Sequence, residues 1–152
     1  MRVVYSLALD LAANPERVAK TQALTMNSDR PLLGLRGAHG LFASPEWWSN
    51  IDSGSIRTET LYGTIEGLHF AGQDARRGDQ VNTFSMRLAD GTLINEGIVV
   101  NEKSHRRLFR VGTEMRIRYA LEELKRQPAT DGGVNYIKIP LEIAVDPEGS
   151  ST

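Results

Sequence analysis

The three histidines are the side chains of this chain best suited to acid–base or metal chemistry, and their spacing argues against both uses. His39, His69 and His105 are too far apart in sequence to form the HxH, HxxxH or HExxH patterns that typically bind zinc. The chain has no cysteine, which excludes a thiol nucleophile and thiolate metal ligands, and it has no GxSxG motif. We therefore predict no catalytic residue, no cofactor and no metal site. The alternative is a hydrolase whose serine and histidine meet only in the folded chain.

Two pairs of basic residues lie on predicted loops. Arg76 and Arg77 precede a predicted hairpin, and Lys125 and Arg126 follow a predicted strand. In an OB-type barrel these loops would flank the face that binds oligonucleotides. However, 18 Lys and Arg against 19 Asp and Glu give a net charge of -1, and the predicted face carries no aromatic residue on which bases could stack. Binding of single-stranded nucleic acid through these loops is therefore an alternative function.

Two adjacent tryptophans lie on the strongest helix signal in the sequence. Ser44 is a typical N-cap, Pro45 favours the first helical position, and Gly54 favours the end of the helix. Neighbouring side chains on a helix point about 100° apart, so Trp47 and Trp48 cannot both be well buried. The sequence leaves open which of them is exposed. The exposed one is our candidate protein interface, because tryptophan is enriched in interface hot spots; otherwise one tryptophan fills the core and the other is half-covered.

Glycines at intervals of three precede this helix. Gly34, Gly37 and Gly40 do not match the GxGxxG pattern of dinucleotide sites, and the Walker lysine is missing, so we predict a tight turn or a close backbone approach. The segment from Gly40 to Ile56 resembles a pattern, GLFxSPEWWxxIxxGxI, shared by small bacterial proteins. The resemblance implies a bacterial family and brings no activity, cofactor or site residue with it.

A hairpin is the clearest strand signal. Asp90-Gly91 predicts a two-residue turn between alternating segments, with Phe84 opposite Gly97. Upstream, the inward parity changes around Gly67, which predicts a β-bulge there. Downstream, a short helix is predicted within residues 101–108.

Period-two alternation predicts further strands near both ends of the chain. The first covers residues 3–11 and is followed by a helix from Pro15 to about residue 24. A later strand begins at residue 114 and should point Leu121 inward and Glu122 outward. The last strand, residues 137–145, should bury Ile137 and lie at or near a sheet edge around Pro140, which has no N–H to donate.

These patterns together predict a mainly β fold, or β-rich α+β. We expect a small five- to six-stranded barrel, OB-like or SH3-like, with one or two short N-terminal helices; a plain β-sandwich also fits. The length of 152 residues predicts a single domain, 1–152, with 1–54 packing on a barrel formed by 55–146 and a frayed tail at 147–152.

The predicted function is that of a non-catalytic bacterial binding module acting through a protein partner, either an accessory factor or a neutralising inhibitor. This hypothesis rests on the missing chemistry, the tryptophan-bearing helix and a charged, varied surface. Asp10 interrupts the only N-terminal apolar run, so no signal peptide or membrane segment is expected, and we expect a soluble, cytoplasmic protein. The oligomeric state is left open.

Overall fold

The fold is mostly β, with six strands in one antiparallel sheet and a few short helices, in a computed structural model that describes residues 1–70 and 81–147. The mainly β prediction is therefore confirmed. The elements in chain order are β1 (Arg2–Ser6), α1 (Leu7–Ala13), α2 (Pro15–Met26), α3 (Pro45–Ser53), β2 (Thr58–His69), β3 (Thr83–Leu88), β4 (Leu93–Gly97), a 3-10 helix (Lys103–Leu108), β5 (Glu114–Glu123) and β6 (Tyr136–Val145).

The strands pair in the order β1-β6-β5-β2-β3-β4. The β3–β4 hairpin was predicted with the wrong register, because Gly97 lies opposite Thr83 and not opposite Phe84. The reason is a three-residue loop: the Gly91 N–H donates to the Leu88 carbonyl, and Gly91 has a φ of 89°. This is the turn-plus-bulge hairpin, which adds one residue to the two-residue loop that Asp90-Gly91 suggested.

The β2–β3 pairing contains the predicted bulge. Its register shifts between Ile65 and Gly67. A side chain at Gly67 would meet the ring of His69, because a Cβ built there would lie 2.9 Å from the His69 Nε2 atom. The absence of a side chain at this glycine therefore leaves the space that the histidine ring occupies.

The N-terminal strand is shorter than predicted. Its β conformation ends at Ser6, and α1 follows at once, with Leu7 and Leu11 buried and Leu9 62% exposed. A four-residue spacing of leucines fits one face of a helix as well as alternate positions of a strand, and the Ala- and Leu-rich composition favours the helix. The next helix, α2, begins at Pro15 as predicted. In the part of the chain that the structure describes, no helix has both the length and the apolar character needed to cross a membrane.

The last two strands follow the predicted alternation only in part. In β5, Tyr119 and Ala120 are both fully buried, so beyond them the inward parity changes. Two adjacent buried residues are typical of a bulged strand. The prediction that Leu121 points inward and Glu122 outward was therefore wrong, since Glu122 is only 3% exposed and Leu121 is half-buried.

In β6, the prediction that Ile137 is buried was also wrong, because its side chain is exposed. The strand lies between β1 and β5 in the sheet, but its pairing with β1 reaches only from Val145 to Glu142. Pro140 therefore lies beyond the β1 pairing, which suits a residue that has no N–H to donate. The edge character predicted for this strand holds around Pro140 alone.

The chain forms two compact units, and β2, β5 and β6 each have one end in either unit. The first unit comprises residues 1–6, 60–117 and those from 142 onward, and the second comprises residues 7–59 and 118–141. The single-domain boundaries stay a prediction. The most deeply buried side chains of the first unit are Val4, Ile65, Phe84, Met86, Thr113, Met115, Ile117, Ile143, Ala144 and Val145. Those of the second unit are Leu7, Trp47, Tyr119 and Ala120.

Candidate protein-binding surface

Helix α3 forms as the local sequence predicts. It runs from Pro45 to Ser53, and the Ser44 hydroxyl accepts a hydrogen bond from the Trp47 backbone N–H at 3.2 Å. At the other end Gly54 adopts the left-handed conformation, and its N–H donates to the Ile51 carbonyl. Both ends of the helix are therefore capped by residues that the sequence identifies.

The two tryptophans have different environments. Trp47 is fully buried, and its indole N–H donates to the Glu122 carboxylate at 2.5 Å. Its ring packs edge-on against Phe42 at 5.0 Å and against Trp48 at 4.8 Å. Trp48 is half-buried. Of the two residues proposed as an interface, only Trp48 offers surface to a partner, while Trp47 anchors α3 in the core of the second unit.

A close approach of backbone to backbone explains the last of the three spaced glycines. Gly40 has a φ of 101°, and a Cβ built on it would lie 3.0 Å from the Trp47 backbone nitrogen. A side chain there would be strained in conformation and would press on the first turn of α3. The predicted close backbone approach is confirmed at this residue.

Glu122 is a buried carboxylate that the sequence did not reveal. Burial raises its pKa above the usual range, and the hydrogen bond from Trp47 opposes that shift. In the β5 alternation it occupies a position expected to face solvent, and the parity change at Tyr119 and Ala120 turns it inward. No local motif marks such a change, so the partner of Trp47 emerges only from the tertiary structure.

The raised pKa of Glu122 predicts a pH dependence of stability. Because the folded protein holds this carboxyl protonated more readily than the unfolded chain does, protonation stabilises the fold. This contribution is present below the ordinary carboxyl pKa and is lost as the pH rises through the raised pKa. Glu122→Gln keeps an oxygen acceptor for Trp47 but does not titrate. The free energy of unfolding of this variant minus that of the wild type should therefore increase as the pH rises through that window. Urea unfolding at a series of pH values measures the difference, and a constant difference would contradict the prediction.

The four residues of the predicted basic patch do not all serve a surface role. Arg76 and Arg77 lie outside the described residues, and Arg126 is exposed. Lys125 has a structural contact instead: its ammonium donates to the carbonyls of Leu24 at 2.6 Å, Arg30 at 3.0 Å and Asn27 at 3.3 Å. Of these three carbonyls only that of Leu24 lies within α2, where the ammonium adds to the hydrogen bond from the Asn27 N–H and complements the helix dipole.

The same lysine holds the chain that follows α2. We call residues 26–33, which begin with the last residue of α2, the held loop. The residues that follow the held loop, 34–36, are fixed to the end of β5. The Arg36 N–H donates to the Glu123 carbonyl at 2.9 Å, and the Lys125 N–H donates to the Gly34 carbonyl at 3.0 Å. Within the loop, the Asp29 N–H donates to the Asn27 side chain at 3.0 Å.

The held loop presents apolar side chains to solvent. Met26 is 65% exposed, Leu32 50% and Leu33 52%. Three large apolar side chains this exposed within eight residues are typical of an interaction surface when they form a patch. Nothing in the local sequence marks them, because isolated apolar residues around a proline are typical of an irregular connection.

The first unit contains a groove of about 600 Å³. Tyr62 and Val111 on its wall are 61% and 64% exposed. At its side the Arg87 guanidinium donates to both Glu66 carboxylate oxygens, at 2.5 and 2.6 Å, and this hydrogen bonding lowers the Glu66 pKa. The groove is therefore an apolar surface with a fixed ion pair beside it, and it is a second place where a partner could bind.

A serine and a histidine do meet in the first unit. His69 Nε2 lies 2.6 Å from the Ser85 hydroxyl, which in turn donates to the Asn95 side-chain oxygen at 2.6 Å. The serine hydroxyl therefore points its proton at Asn95 and not at the histidine ring. The three residues link β2, β3 and β4 as a structural network.

Residues 1–70 and 81–147 contain no group of three His, Asp or Glu side chains arranged to hold a metal ion.

Comparison with known proteins gives the chain a family. No curated protein matches the sequence. The sequence model of one family, described as Immunity protein RhsI2, matches residues 1–146. The match covers nearly the whole chain of 152 residues and is more specific than the 17-residue resemblance around α3. Immunity proteins neutralise a partner toxin by binding it. The chain belongs to the Immunity protein RhsI2 family.

Proposed function

We propose that this protein protects the bacterium that makes it by binding a cognate toxin directly, without catalysis. The family match over residues 1–146 is the observation that carries the proposal. Of the two roles that the sequence suggested for a protein-binding module, neutralising inhibitor and accessory factor, the family favours the first. We place the protein in the bacterial cytoplasm, where a chain without cysteine loses no stabilising disulfide.

The surface of the second unit supports a protein-binding role. Trp48 keeps part of its ring exposed on a helix that Trp47 anchors, and such a rigid aromatic side chain is typical of an interface anchor. By contrast, Lys125, one of the four cations of the predicted nucleic-acid patch, donates to a backbone carbonyl of this protein. Protein binding is therefore favoured over nucleic-acid binding, for which exposed Arg126 remains, together with Arg76 and Arg77 outside the described residues.

Co-expression tests the proposal. Toxin domains are induced in a bacterial host with and without this chain, and we expect one toxin whose growth arrest the chain relieves. A scrambled-sequence chain expressed at the same level is the control. The proposal is wrong if no growth arrest is relieved, or if relief occurs while the toxin protein disappears from the cell.

A further inference from the structure

We propose that the held loop, residues 26–33, is the surface by which this protein binds its toxin, and that the toxin presents an apolar pocket with an acidic rim to it. The inference rests on the proposed function, since it assigns that function to a place in the fold. Its support is threefold: the exposed apolar side chains, the way the loop is held, and the charge around it.

The apolar side chains supply the affinity. Met26, Leu32 and Leu33 keep half or more of their surface in water in the free protein. Covering them with a complementary pocket removes apolar area from water at roughly 25 cal/mol per Å². Leu32 and Leu33 follow Pro31, whose fixed φ restricts the backbone before them. The three side chains therefore form the part of the loop that a partner can bury with the largest gain.

The way the loop is held lowers the cost of binding it. One ammonium group contacts the carbonyls of Leu24, Asn27 and Arg30, so the chain between these residues is folded tightly around Lys125. The end of the segment is fixed in turn by the contact of Gly34 with the Lys125 backbone. A segment whose shape is already fixed loses little conformational entropy on association. The loop is thus ready to bind without rearrangement.

The charge around the loop indicates that the rim of the toxin's pocket is acidic. Arg30 lies within the loop, and exposed Arg126 follows directly after the lysine that holds it. Arg36, whose side chain is 57% exposed and lies 4.0 Å from the Glu123 carboxylate, is three residues beyond the loop. Their positive charge exceeds that of Asp29 and Glu123, the acids nearest in sequence to these positions. A toxin surface with acidic groups around an apolar pocket complements this arrangement, and charge complementarity speeds and orients association.

The test uses the full chain and the toxin identified by co-expression, with binding measured by calorimetry. The triple variant Met26→Ser, Leu32→Ser, Leu33→Ser removes the apolar contacts without touching the core. If two of the three are hot spots, Kd should rise by at least about 100-fold. The matched control is Tyr62→Ser with Val111→Ser, which removes two equally exposed apolar side chains from the groove of the first unit; its Kd should stay within about 3-fold of wild type.

A charge-reversal pair tests the acidic rim. Arg30→Glu with Arg126→Glu should slow association, and raising the ionic strength should narrow the difference from wild type. An unchanged association rate would contradict the acidic rim on the toxin.

A measurement on the wild-type protein tests the inference without depending on whether any variant folds. Hydrogen exchange is compared with and without bound toxin, and amides of residues 26–36 should show the largest added protection. Protection centred on Tyr62 and Val111 instead, or a triple variant that binds like wild type, would overturn the inference and leave the proposed function intact. Failure of the wild-type chain to bind the toxin would overturn the proposed function itself, and this is seen before any variant is made.

Discussion

Replacing Trp47 with alanine should lower the free energy of unfolding by about 3–5 kcal/mol. The indole is fully buried and packs against Phe42 and Trp48, so its removal leaves a cavity that these rings cannot fill without losing their own contacts. It also removes an N–H that donates to the buried Glu122 carboxylate, and the loss of that donor accounts for about 1–3 kcal/mol of this total. Urea denaturation followed by circular dichroism measures the change.

The neighbouring tryptophan is the matched control. Trp48→Ala removes a ring of the same size from the adjacent position, but this ring is half-exposed already, so the expected loss is about 1–2 kcal/mol. Trp47→Phe keeps most of the buried volume and removes the N–H, and its loss should lie between those of the two alanine variants. Equal losses for Trp47→Ala and Trp48→Ala would show that α3 is not anchored through Trp47.

Replacing Lys125 with methionine should lower the free energy of unfolding by about 2 kcal/mol and weaken toxin binding by roughly tenfold. Methionine keeps the apolar length of the side chain but cannot donate to the carbonyls of Leu24, Asn27 and Arg30. The loss of stability follows from the loss of charge-assisted hydrogen bonds. The loss of affinity follows because the toxin must then order the held loop as it binds. Denaturation and calorimetry measure the two effects separately.

Arg126→Met controls for the change of charge. It removes one positive charge from the next residue, whose side chain is exposed, so its stability should stay within about 0.5 kcal/mol of wild type. If Arg126→Met and Lys125→Met lower stability equally, the effect of Lys125 is one of net charge and the loop is not held by its hydrogen bonds.

Features that depend on residues close together in the sequence were predictable. Helix α3 begins and ends where Ser44, Pro45 and Gly54 indicate, because caps act within one turn of the helix. The bulge beside Gly67 and the mainly β class follow from the parity of apolar residues in the same way. These are short-range patterns, and one chain is enough to read them.

Features that depend on distant contacts were not predictable. The inward turn of Glu122 follows from a parity change inside β5, and its partner Trp47 is 75 residues away. Lys125 binds backbone carbonyls about 100 residues earlier, and carbonyls are the same in every sequence, so nothing in the residue types announces the contact. The held loop was missed for the same reason. Its shape depends on Lys125, and its exposed leucines acquire meaning only once they are seen at the surface.

The hairpin register shows how a correct motif can give a wrong detail. Asp90-Gly91 does lie in the turn between β3 and β4, as predicted. The loop has three residues because Gly91 alone takes the left-handed conformation, and the Asp90 carboxylate accepts from the Thr92 N–H at 2.9 Å. Both loop types favour Asp and Gly, so the dipeptide identifies the hairpin but not its register.

In the function proposed above, this protein neutralises its toxin by stoichiometric binding and not by changing it chemically. A titration of toxin activity with the purified chain, combined with light scattering of the mixture, tests this mode of action. Toxin activity should fall linearly to zero at a fixed molar ratio, with a stable complex at that ratio and full recovery of the toxin when the complex is separated. Inactivation of excess toxin by a small fraction of the chain, with no complex and with toxin that stays inactive after separation, would contradict it.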